Sequence, residues 1–209
     1  WLDPMTAVRG MALIRQERRD VKLVFPGTRH PNPEVPDMAM YRDTLGLAKE
    51  LELLDRNVFF GDWVPYAMWP NYLLEADIGL SLHTETVEAR LAYRSRVLDY
   101  FWAGLPMVVT KGDTAGDQVA NLRVGEVIDY EDEHGFAAAV LSLLKEPRSR
   151  FARRFEEARA VMTWERAAIP LTDFCRNPRR APDRVSKPEG AFLRDGPEGG
   201  QRIESLHAE

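Results

Sequence analysis

Arg94, Ser95, Arg96 and Asp99 sit in the stretch RSRVLDYFWAGLPMVV (94–109), at the head of an apolar segment. Backbone N–H groups at a helix start lack intrahelical partners and attract anions, and guanidinium groups strengthen the pull. A phosphate or diphosphate suits such a head. Asp99 falls one helical turn past Arg96 on the same face, where a carboxylate can accept hydrogen bonds from ribose hydroxyls just beyond a phosphate. Val97, Leu98, Phe101 and Trp102 are expected to leave that acid little solvent, and burying an unpaired carboxylate is costly. The plainer reading is a solvated face, with the arginines paired to Glu85, Glu88 or Asp99. Both readings stand on the sequence alone.

Other segments carry weaker signals. TKGDTAGD (110–117) places Thr110, Lys111, Gly112 and Asp113 before a helix start, where a glycine turn and an N-cap acid are the ordinary explanation. GDWVPY (61–66) offers Trp63 or Tyr66 for a flat base, with the backbone of Val64 to read its edge; aromatic packing between layers accounts for it equally. GTRHPNP (27–33) puts Arg29 and His30 in a loop. His30, His83, His134 and His207 have no zinc-type spacing, and Cys175 is the single cysteine. No phosphate-binding Walker loop, dinucleotide GxGxxG, nucleophile elbow or triad is present.

These residues need a scaffold. Asp3 and Pro4 read as the N-cap and first position of an opening helix. Short apolar runs predict strands in VKLVFPG (21–27), NVFFGDW (57–63), DIGLSLH (77–83), PMVVT (106–110) and EVIDY (126–130). Helices are expected over 37–54, 67–76, 94–103, 114–125 and 131–147, and again over 148–175 with a break before Pro170. The polar stretch 84–92 reads as a loop. Strands alternating with helices define an α/β, Rossmann-like, doubly wound parallel sheet, which binds ligands at the carboxyl ends of its strands. That places the loops 27–36, 61–66, 83–95 and 110–116 on one rim. One Rossmann-like domain over 1–176 and a disordered tail over 177–209, rich in Pro, Gly, Arg and Glu, complete the expected organisation.

The chain has 209 residues and 44% hydrophobic composition, enough for one sizeable core. Its formal net charge of −5 argues against general nucleic-acid binding. One cysteine excludes an internal disulfide and fits a cytosolic compartment. No apolar run reaches the length of a membrane span. The chain opens on Trp1 with a helix signal almost at once, which reads as a fragment.

In this order, VKLVFPG, VFFGDWVPYAMWPNYLLEADIGLSL and RSRVLDYFWAGLPMVVTKGD resemble the C-terminal half of a GT-B glycosyltransferase, of the retaining family-4 type that uses nucleotide sugars. The likeness runs from about residue 3 to 165 and is most specific over 58–113. It implies that Asp99 binds the donor ribose, although the family usually carries the longer glutamate there. It implies that Arg94, Ser95 and Arg96 grip the diphosphate, that Trp63 and Val64 hold the base, and that Thr110, Gly112 and Asp113 complete the donor loop. The family's sugar-facing glutamate would stand at Leu91; Glu88 or Glu85 would have to serve instead, leaving Glu88 and Arg96 as the catalytic candidates.

The resemblance further implies sugar transfer from a nucleoside diphosphate to an acceptor hydroxyl, in polysaccharide or cell-envelope synthesis. No cofactor is expected, and nothing in the sequence requires a metal, since the arginines could take its place. The partners would be a nucleotide sugar and a glycan or lipid-linked acceptor, and the location cytoplasmic or peripheral on the membrane's inner face. The fold's first strand and the acceptor-binding domain would precede Trp1, so this piece alone should be inactive. A nucleotide-sugar epimerase using His83 and Glu85, and a non-catalytic module of the same fold, are the rivals.

Overall fold

A computed structural model describes residues 2–179. The chain divides into two compact units, the first closing at Thr163 and the second beginning at Trp164. The expected tail falls, from residue 180 onward, outside the described residues.

The first unit alternates helix and strand as the sequence predicts: α1 (Pro4–Glu17), β1 (Leu23–Phe25), α2 (Ala39–Glu50), β2 (Val58–Phe60), α3 (Trp69–Glu75), β3 (Gly79–Ser81), α4 (Val87–Leu91), α5 (Ser95–Ala103), β4 (Met107–Thr110), α6 (Thr114–Leu122), β5 (Gly125–Ile128), α7 (Glu133–Leu143) and α8 (Ala152–Val161). Every strand pair is parallel. β1 pairs with β2, Leu23 opposite Val58 and Phe25 opposite Phe60. β4 lies between β3 and β5, with Ser81 opposite Val109 and Thr110 opposite Ile128. All four residues of β4 are buried, which is why that strand reads as an unbroken apolar run rather than an alternating one.

Local chemistry sets the elements. Asp3 caps α1, its Oδ1 accepting from Thr6 N–H at 3.0 Å. The Asp3 N–H donates to the Leu82 carbonyl at 3.1 Å, so the start of α1 is fastened to the end of β3. Val8, Met11 and Ile14 form the buried stripe of α1, which packs on α2 and α7. α5 packs on α3, α8 and β3. Gly79 admits the Tyr100 ring: a Cβ there would lie 2.8 Å from Tyr100 Cδ2. Tyr100 Oη in turn donates to the Leu80 carbonyl at 2.7 Å, tying α5 to β3.

Arg148 closes the far end of the same layer. Its Nη1 donates to the carbonyls of Leu74 and Ala76 (2.9 and 3.1 Å) and its Nη2 to that of Ala103 (2.9 Å). One guanidinium therefore satisfies the ends of both α3 and α5. Gly104, at φ +62°, supplies the left-handed C-cap that lets α5 turn back into β4.

Two local expectations change. Residues 87–91 form a short helix, not a loop, because Thr86 Oγ1 caps it by accepting from Ala89 N–H at 2.9 Å. The helical stretch after 148 opens with a 3-10 turn (Arg148–Phe151) and ends at Val161. The second unit holds α9 (Trp164–Ala167) and α10 (Ile169–Arg176), with the expected break at Ala168 and Pro170 in the first turn of α10.

Candidate functional site

Three helices begin at the carboxyl ends of β3 and β4, and they begin differently. α4 is capped by Thr86 and α6 by Asp113, whose Oδ1 accepts from Gly116 N–H at 2.7 Å. α5 has Arg94 as N-cap and no side-chain cap hydrogen bond. Among the described residues its first-turn amides receive no side-chain cap. Arg96 lies in that turn, half-buried, and makes no ion pair or hydrogen bond among the described residues. Ser95 beside it is exposed.

Arg94 takes the opposite course. Its side chain is 4% exposed and its Nε lies 3.8 Å from Asp113 Oδ2. His83 Nε2 stands 3.8 Å from the same oxygen. Thr110 Oγ1 accepts from the His83 backbone N–H at 3.2 Å and meets His83 Nδ1 at 2.7 Å. Four polar residues from three segments, His83, Arg94, Thr110 and Asp113, therefore share one buried cluster beneath the strand tips. Burial pushes the His83 imidazole below its ordinary range; the nearby Arg94 guanidinium adds to this, Asp113 opposes it, and Arg96 contributes a smaller push in the same direction as Arg94.

Gly112 adopts φ +95°, a conformation that favours glycine, and Tyr130 Oη lies over its Cα. Tyr130 meets the His83 ring edge-on, 5.9 Å between centroids. Of the loop residues Thr110, Gly112 and Asp113, the first and last are buried in this cluster, and Asp113 meets Arg94.

Asp99 is exposed rather than enclosed, because α5 turns Leu98 and Trp102 outward with it. Its Oδ2 accepts from Trp69 Nε1 at 3.4 Å, across from α3. The anticipated Arg96–Asp99 pair does not form, and Glu85 pairs with Arg90 instead. Glu88 is exposed on α4, and Leu91 is 82% exposed. His83 is 1% exposed, and Glu85, exposed, pairs with Arg90.

Trp63 lies at the tip of β2, 53% exposed. The β1–β2 ladder continues past the strands, Gly27 N–H donating to the Asp62 carbonyl (3.0 Å) and Thr28 N–H to that of Gly61 (3.2 Å). This draws His30 to 5.7 Å from Trp63 between ring centroids. Val64 is half-buried beside them. Sequence reasoning did not foresee Trp69 as partner to Asp99, nor His83 as the centre of a buried cluster; a tryptophan at the head of a helix and a histidine ending an apolar strand were the available signals. Among the described residues no group of three or more His, Cys, Asp or Glu side chains is placed to hold a metal ion, and no helix is long and apolar enough to cross a membrane.

No protein-family model matches the sequence, and no curated protein matches it. Solved structures do match the fold. Sucrose-phosphate synthase from Thermosynechococcus elongatus superposes with a TM-score of 0.65 at 20% identity, over 83% of this chain and 42% of that one. WaaG, a glycosyltransferase involved in lipopolysaccharide biosynthesis, gives 0.56 at 20% identity, over 81% and 41%. The C-terminal domain of a glycosyl transferase group 1 family protein, LpcC from Francisella tularensis, gives 0.53 at 15% identity, over 72% and 70%. The chain thus has the α/β, Rossmann-like fold of GT-B glycosyltransferases, and spans about two fifths of the length of the first two.

Proposed function

We propose that this chain is the donor-binding half of a glycosyltransferase that takes a sugar from a nucleoside diphosphate. The observation that carries the reading is the uncapped start of α5, with Arg96 unengaged beside it at the strand tips and Asp99 one turn further on. The match to an isolated C-terminal domain over most of both chains supports the assignment to one half.

In this reading the diphosphate rests on the amides of Ser95 and Arg96, with the Arg96 guanidinium beside them. Arg94 acts from behind: its buried contact with Asp113 fixes the helix start. The Asp99 carboxylate, oriented by Trp69, accepts from the ribose hydroxyls, and the base lies against Trp63. As the glycosidic bond breaks, negative charge grows on the leaving diphosphate. Donors fixed beforehand stabilise that charge more than the ground state, and removing one typically costs about 3 kcal/mol of barrier. Glu88, exposed on α4, is the acid nearest in sequence to Leu91 and is assigned to the sugar side. The retaining outcome, independence from a metal, a glycan or lipid-linked acceptor, a setting in envelope polysaccharide synthesis, and a cytoplasmic or peripheral membrane location belong to the same proposal.

A thermal-shift titration tests it. Uridine, guanosine or thymidine diphosphate should raise the melting temperature with concentration, since a ligand that binds only the folded state stabilises it. No shift with any of them contradicts the proposal.

A further inference from the structure

The loops at the tips of β1 and β2 border an open cleft of about 490 Å³, lined among others by Arg29, His30, Val35, Asp62 and Trp63. Its volume is that of a small-molecule site. Its walls are held by the backbone: the bonds from Gly27 to Asp62 and from Thr28 to Gly61 lock the two loops together, and Thr28 Oγ1 adds a donation to the Gly61 carbonyl at 3.0 Å. Asn32 closes the proline loop, its Oδ1 accepting from Glu34 N–H and its carbonyl from Val35 N–H. The apolar lining comes from the prolines and Val35, and Trp63 and His30 supply flat rings.

Two charged side chains of opposite sign, Arg29 and Asp62, line this cleft. Arg29 is held through its Nε by Asp37 Oδ1 at 3.3 Å. Asp62 makes no side-chain hydrogen bond or ion pair among the described residues and lines the same cleft. A carboxylate pairs with two adjacent N–H donors, and a guanidinium with two adjacent acceptors. Guanine alone of the common bases offers both, N1–H beside N2–H on one edge and O6 beside N7 on another. Uracil has one N–H flanked by two carbonyl oxygens, which repel the second carboxylate oxygen.

Resting on the donor-site reading above, we infer that the base accepted by this cleft is guanine, stacked on Trp63, with Asp62 reading its N–H edge and Arg29 its O6/N7 side. The donor would then be a guanosine diphosphate sugar.

Calorimetric titration of the chain with the diphosphates of guanosine, uridine, adenosine and thymidine tests this. Guanosine diphosphate should bind at least about tenfold more tightly than the others, and Asp62→Asn should remove most of that preference while leaving uridine diphosphate within about twofold. Equal affinity for all four, tighter binding of a pyrimidine, or an unchanged preference in Asp62→Asn overturns the base assignment and leaves the donor site standing. Failure of every diphosphate to bind overturns both.

Discussion

The Arg94 Nε lies 3.8 Å from Asp113 Oδ2, and both side chains are almost wholly removed from solvent. The pair joins the head of α5 to the head of α6 across the ends of β3 and β4. Removing one member of a buried ion pair costs about 3–5 kcal/mol. Asp113→Ala should lose that much in urea unfolding. Asp113→Asn should lose less, by about 1 kcal/mol, because asparagine still caps α6 through Gly116. Equal losses for the two variants would remove the capping role.

His83 gives the same cluster a pH dependence. Its folded-state pKa lies below the ordinary 6.5, chiefly through burial. Below pH 6.5 the unfolded chain binds a proton that the folded chain refuses, so the contribution is full above 6.5 and declines as pH falls toward the folded-state value. Thermal melts from pH 7.5 down to about 5 should therefore lose stability more steeply in the parent than in His83→Gln. Parallel slopes would mean that the imidazole is not the titrating group.

Arg148 spans the C-terminal ends of α3 and α5 through three carbonyls within 3.1 Å. Charged hydrogen bonds contribute about 1.5–3 kcal/mol each, and three made by one side chain do not add fully. Arg148→Ala should cost about 3 kcal/mol in chemical denaturation, and Arg148→Lys should recover only part, since an ammonium lacks the planar fork. A loss within experimental error for Arg148→Ala would contradict the bridging role.

The five strands were legible because each is a short apolar run ended by a glycine, a polar residue or a proline. The site was legible only in part. RSR announces an anion-binding helix head, but which arginine turns inward depends on Asp113, which arrives from another loop. The apolar letters around Asp99 predicted enclosure; the structure spends Leu98 and Trp102 on an exposed face, so the acid faces solvent and Trp69. α4 escaped notice because five residues with one buried alanine leave no stripe, only the Thr86 cap.

Asp99 carries a prediction of its own. If it accepts from the ribose, Asp99→Ala should weaken a nucleoside diphosphate about tenfold, and the 2′,3′-dideoxy analogue should bind parent and variant alike. A tenfold loss for the dideoxy analogue as well would assign Asp99 to something other than the ribose.

The central claim is that the uncapped head of α5 and Arg96 bind the diphosphate. Calorimetry of Arg96→Ala against a nucleoside diphosphate and its parent nucleoside addresses it directly. Diphosphate affinity should fall at least about tenfold, with nucleoside affinity unchanged and circular dichroism identical to the parent. Undiminished diphosphate affinity in a folded Arg96→Ala protein would contradict it.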